Sequence, residues 1–165
     1  MILFIESVVL CVLFTIMILP MQYKDPLNMI MSYPPEIIKR VESLPQYKGK
    51  IKKREKAHIV KKIAGVFLFV VVMTAVAYFS GCRNFLSAFV HVFILFFTVN
   101  LYDLFVLDWG VFCHSKRLRI QGTEDMEKEY KDYLFHIKGA VIGTILGIIV
   151  ALLSGALVQG LTVLI

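Results

Sequence analysis

The residues best equipped for chemistry crowd one stretch, YDLFVLDWGVFCHSKRLRIQGTED, residues 102–125, with His136 a little beyond it. A carboxylate beside an imidazole can work as a general base with its orienting partner, which singles out Asp103, Asp108, His114 and His136 as candidates for acid and base. Trp109, Lys116, Arg117 and Arg119 have the chemistry to hold a head group, the bases by gripping phosphate and the indole by sitting at a membrane interface. His91 and Asn100, inside the preceding apolar run, are two further polar candidates. No metal is expected, because Cys113 adjacent to His114 cannot supply separated ligands and no paired CxxC or HxxxH follows. Nothing in the sequence implies a cofactor.

Ordinary interface anchoring explains part of this set. It accounts for Trp109 and the bases, and for one aspartate paired with a base from elsewhere, but it does not require two acids and two histidines.

The elements that position these residues follow from composition. The chain has 165 residues, 58% of them hydrophobic, with a mean hydropathy of +0.75. That exceeds what a soluble core of this size can hide. A membrane crossing takes ~20 mostly apolar residues, and four segments approach that length: 2–21, 63–80, 85–107 and 139–165. The sequence therefore predicts an all-α, polytopic membrane protein, a single membrane domain over 1–165 with four transmembrane helices. The first segment lacks the positive flank and small-residue cleavage site of a secretory signal and carries Glu6, so it reads as a retained helix.

Charge sets the expected orientation. The connection 23–62 holds eleven Lys or Arg against four acids, and 108–138 holds six against six, while the opposite side offers only Arg83. Basic residues near span ends stay in the cytoplasm, so both connections are expected there, with the N- and C-termini outside (N-out/C-out). Nine of the fifteen residues at 48–62 are Lys, Arg or His, a cluster suited to fixing topology or meeting anionic lipid. It lacks the aromatic interleaving of a nucleic-acid surface, and no nucleic-acid partner is expected. Which membrane holds the chain, bacterial plasma membrane or eukaryotic endomembrane, is not encoded in this pattern.

Each connection is expected to contain a short amphipathic helix. In the first, Pro35 suits an initial helical position, and Ile37, Ile38, Val41 and Leu44 form one apolar face, placed either in the membrane interface or against the second connection. In the second, Thr123 is a candidate N-cap for a helix with Met126, Tyr130, Tyr133, Leu134 and Ile137 as its stripe, and with Glu127–Lys131 and Lys128–Asp132 as helical pairs. Gly110 is expected to permit a break where the third span leaves the bilayer. Residues 81–84, GCRN, allow only a tight turn.

In the last span Gly139, Gly143, Gly147, Ala151 and Gly155 recur every fourth residue, a ribbon for close helix packing within the bundle or between two copies or a membrane partner. On the third span Ser87, His91 and Thr98 share one face, which offers that ribbon hydrogen bonds, while Asn100 and Asp103 lie nearly opposite. At helical rise Asp103 lies ~27 Å and Asp108 ~34 Å from Phe85, near the cytoplasmic boundary. These positions lead to binding of a lipid, an amphipathic small molecule or a membrane partner at the cytoplasmic rim. The alternative is a membrane enzyme acting on a lipid or isoprenoid through the Asp and His residues, and a transporter subunit using His91 is a weaker third.

Overall fold

The computed structural model of the chain describes the backbone of residues 1–164 and the side chains of all of these except residues 52–62. Its helices are α1 (Ile2–Lys24), α2 (Pro35–Ser43), α3 (Lys50–Phe79), α4 (Phe85–Tyr102), α5 (Glu127–Tyr130) and α6 (Tyr133–Leu164), and the described residues include no strand. Beyond Tyr102 the coil of α4 widens into a π-helix, Asp103–Phe112. Three helical paths are long and apolar enough to cross a membrane: Ile2–Lys24, Phe85–Phe112 and Glu127–Leu164. The apolar part of α3, Ile63–Phe79, is shorter. Most of the basic cluster at 48–62 falls on side chains outside the described residues.

Two apolar cores are separated along the bundle. The first joins Val70, Met73 and Ala77 of α3 to Ala88, Val92 and Leu95 of α4 and Val150, Ala151 and Val158 of α6. On its periphery lies α1, whose outer residues, such as Phe4 at 73% and Ile16 at 62% exposure, present an apolar surface suited to lipid rather than water. The turn between α3 and α4 is tight, as the sequence requires. Gly81 takes φ +92°, Arg83 lies 4.3 Å above the Tyr78 ring, and Asn84 starts α4 through a reciprocal capping box with Ser87.

The small-residue ribbon of α6 faces α4. A Cβ on Gly147 would meet the Phe96 ring at 2.6 Å, and one on Gly155 would come 3.0 Å from the Phe85 carbonyl oxygen. Gly143 abuts the side chain of Asn100, and Ala151 is fully buried, whereas Gly139 has open space. The ribbon is thus used inside the bundle from Gly143 onward. Its hydrogen-bonding partner is not the face carrying Ser87, His91 and Thr98. Asn100, on the other side of α4, donates to the Ala140 carbonyl at 2.9 Å and to Thr144 Oγ1 at 3.1 Å.

The second core is a cap made by the two long connections folding on each other: Ile30, Tyr33, Ile37, Val41 and Ile51 meet Phe112, Cys113, Leu118, Ile120 and Tyr130. Prolines punctuate the first half, each at the start of a helical segment where its missing N–H costs nothing: Pro26, Pro35 and Pro45. Of the two placements open to the apolar face of α2, the structure shows packing against the second connection, with Ile37 and Val41 at 0% exposure. Burying each such side chain contributes about 1.5–3 kcal/mol. Tyr33 donates its hydroxyl to the Leu118 carbonyl at 2.9 Å, and burial holds that phenol above its ordinary titration range, so it stays a donor.

Several expected boundaries shift. Pro20 lies inside α1, which continues to Lys24; in this exposed setting the lost backbone bond is tolerated. Gly110 causes no break, because the helix continues to Phe112 in its wider form. Thr123 does not cap a helix: its hydroxyl bonds the Ile120 carbonyl at 2.7 Å and the Tyr130 hydroxyl at 2.7 Å. The helix expected after it is a single turn that stops at Tyr130, and Asp132, rather than pairing with Lys128, accepts from the Phe135 N–H at 3.0 Å at the start of α6. The interruption changes the helical phase, so Tyr133, Leu134 and Ile137 are exposed while Tyr130 is buried. Glu127 and Lys131 do pair, at 2.5 Å.

Candidate functional site

The stretch that opens the sequence argument is the π-helix itself. In an α-helix residues five apart point in different directions, but the wider coil made by i→i+5 bonds brings them to the same side. Cys113 N–H bonds the Asp108 carbonyl at 2.9 Å in that pattern. The widened coil therefore aligns Asp103 and Asp108 on one side of the helix, toward α6. There Asp108 Oδ2 stands 3.0 Å from Nδ1 of His136, whose side chain is only 3% exposed against 31% for the aspartate. Asp108 thus fixes the imidazole's orientation, and Nε2 is buried with no hydrogen bond. The Cys113 thiol adjoins the same imidazole, and the Phe112 ring covers it, centroids 5.1 Å apart.

Asp103, one π turn earlier, has a different environment. It lines a cavity of about 320 Å³ between α1, α3, α4 and α6, whose other walls are Phe14, Gly65, Val66, Phe69, Phe96, Val99, Asn100, Gly143, Leu146 and Val150. That volume lies at the lower end of small-molecule sites, about 300–1,000 Å³. Asn100 turns its amide N–H groups to α6, and among the described residues Asp103 is the ionisable group of the lining. Among the described residues no base lies within ion-pair distance of its carboxylate.

The remaining sequence candidates separate by position. His114 is exposed and turns Nδ1 to the Trp109 carbonyl at 2.8 Å, away from both aspartates. Trp109 is wedged edge-on between Phe105 and Tyr133, 5.1 and 5.3 Å away. Arg119 is directed inward, its guanidinium 3.8 Å above the Tyr130 ring and donating to the Cys113 carbonyl at 3.0 Å, so it braces the cap. Lys116 and Arg117 are exposed. His91 sits at the far end of α4, its Nε2 2.8 Å from Glu6 Oε2 of α1, and the other Glu6 oxygen accepts from Ser80. The structure therefore brings together Asp103, Asp108, His136 and, one turn back, Asn100; His91 and His114 stand apart.

Neither a protein-family model, nor a curated protein, nor a solved structure matches the chain. Its function must be argued from geometry.

Sequence reasoning considered Cys113 only as a metal ligand beside His114 and so missed its place against His136, and it missed Glu6 as the partner of His91. The i, i+5 spacing of Asp103 and Asp108 was the available signal for the former cluster, but only a π-helix makes that spacing meaningful. Among the described residues no group of three His, Cys, Asp or Glu side chains is arranged to hold a metal ion.

Proposed function

We propose that the chain is a four-span membrane protein, with both termini outside, that binds an amphipathic molecule near its cytoplasmic rim, the apolar part in the cavity between α1, α3, α4 and α6 and the polar end at Asp103. One observation carries this reading: an apolar cavity with a single ionisable group, Asp103, among the described residues of its lining. Four spans are supported by α3, which shares the buried core of α4 and α6. Its apolar stretch Ile63–Phe79 reaches ~26 Å of a ~30 Å layer at helical rise, a deficit that local thinning of the bilayer accommodates. The basic connections favour the cytoplasmic side for the cap. Lys116 and Arg117, exposed at the cap, supply contacts for anionic lipid.

A cavity-filling variant tests the proposal. Gly65 lines the cavity, and a Cβ there meets nothing within 4 Å, so Gly65→Trp narrows the space without a backbone clash. A photoactivatable amphiphile should label residues 96–103 and 143–150 of the wild type, and labelling should fall in Gly65→Trp; equal labelling in both refutes the reading. Orientation is checked by introducing single cysteines at Arg117 and at the termini and measuring their access to an impermeant maleimide from each side.

The Asp108–His136 pair favours a second reading, an enzyme acting on a lipid or isoprenoid, because the carboxylate orients a buried imidazole next to a thiol. Lipid turnover lost in both Asp108→Asn and His136→Gln, with the fold retained, is its signature.

A further inference from the structure

We propose that the cavity selects a lipophilic cation, a molecule with an ammonium or comparable positive centre on an apolar body, and that Asp103 is its counter-ion. The inference rests on the cavity reading above and names the class of ligand.

The argument is one of charge balance. Among the described residues the cluster holds two carboxylates, Asp103 and Asp108, and one imidazole, that of His136. His136 is committed to Asp108, at 3.0 Å. Even with the imidazole fully protonated, two acids and one base leave a negative charge, and it falls on Asp103. A carboxylate without a cation is costly in an apolar, poorly hydrated cavity, so it holds a proton or meets a positive charge. The other described walls give an anion no charge support: Phe14 from α1, Gly65, Val66 and Phe69 from α3, and Gly143, Leu146 and Val150 from α6 are uncharged. The aromatic rings of Phe14, Phe69 and Phe96 also suit a cation, which is attracted to the negative face of a ring. Asn100 does not compete for this role, since its donors are spent on α6. An anionic head group would meet Asp103 by repulsion, so the lipid phosphate chemistry of Lys116 and Arg117 belongs to a separate part of the surface.

The test uses the full chain held in amphipol and three probes with the same tail, dodecyltrimethylammonium, dodecanol and dodecyl sulfate, with binding measured calorimetrically and Gly65→Trp as the blank for nonspecific uptake. The cation should bind about tenfold tighter than the alcohol or more, equivalent to about 1.4 kcal/mol, and the sulfate weakest. In Asp103→Asn the affinities for cation and alcohol should converge, while Asp103→Glu should keep the preference for the cation. Thermal melting of each variant accompanies the binding data, so that an unfolded protein is recognised. Equal affinities for cation and alcohol in the wild type overturn the cation assignment and leave the cavity reading standing. A preference that survives in folded Asp103→Asn overturns the role of Asp103. No binding of any probe above the Gly65→Trp blank overturns the cavity reading and this inference with it.

Discussion

Asp108 and His136 meet 3.0 Å apart across the seam between the π-helix and α6, and the histidine is almost fully buried while the aspartate keeps an exposed edge. Removing one partner from a buried ionic pair costs about 3–5 kcal/mol, and the exposed edge of Asp108 places this pair at the lower end. His136→Ala should therefore destabilise the protein by about 3 kcal/mol. The double variant Asp108→Asn/His136→Gln should be less destabilised than the sum of its two single variants by about 0.5–3 kcal/mol in a double-mutant cycle followed by denaturant unfolding in mild detergent.

Gly147 and Gly139 belong to one sequence repeat but have opposite surroundings. Gly147→Ala drives a methyl group into the Phe96 ring, an overpacking worth about 1–3 kcal/mol of lost stability. Gly139→Ala meets nothing within 4 Å, and in a helix interior should raise stability by about 0.5–1 kcal/mol. Thermal unfolding of the two variants in the same detergent should show shifts of opposite sign.

The cap should open without the membrane bundle. Ile37→Ala removes a fully buried side chain of α2 and should cost the cap about 2–5 kcal/mol. Hydrogen exchange should then rise over residues 33–47 and 112–130, while protection in α4 and α6 at residues 88–98 and 147–158 stays as in the wild type.

Tyr130 should matter more than Tyr33, although both are buried phenols. Tyr33 makes one hydrogen bond, to the Leu118 carbonyl. Tyr130 accepts from the Ile120 N–H, shares a bond with Thr123 and supports the Arg119 guanidinium. Tyr33→Phe should cost about 0.5–1.5 kcal/mol, the net worth of one bond, whereas Tyr130→Phe should cost more because it strands a buried N–H donor. Proteolysis rates within residues 112–130 rank the two.

Gly122 connects the two halves of the cap at φ +89°, with Leu44 pressed against the position a side chain would occupy. Gly122→Ala adds left-handed strain to that contact, for a combined cost of about 1–3 kcal/mol. Pairing it with Leu44→Ala should relieve the contact but not the strain, so the double variant should not melt like Leu44→Ala alone.

The helical class and the apolar lengths were legible from composition, because a run such as 139–165 has one physical use. Local features set by a single residue were legible too: the start of α2 at Pro35, the GCRN turn and the close approach at Gly143 and Gly147. What escaped depended on how the helix is wound or on partners remote in sequence. Counting at 100° per residue separates Asp103 from Asp108, and only the π-helix reunites them. No periodicity within 108–138 tells that its apolar residues have Ile37 and Val41 waiting for them. Thr123 was the expected cap and Asp132 the expected partner of Lys128, but Asp132 takes the capping bond at the start of α6, a choice that depends on the phase in which α6 must present its glycines to α4.

Phe112 ends the π-helix with its ring against Tyr33 and Tyr130 on one side and His136 on the other. The same coil carries Asp108 and Asp103 in consecutive turns. Because a π-helix is a marginal winding that an α-helix readily replaces, tightening it by one residue would rotate the two aspartates apart while pulling on Phe112. The cavity at Asp103 and the cap at Phe112 are thus opposite ends of one screw, and a turn made at either end reaches the other.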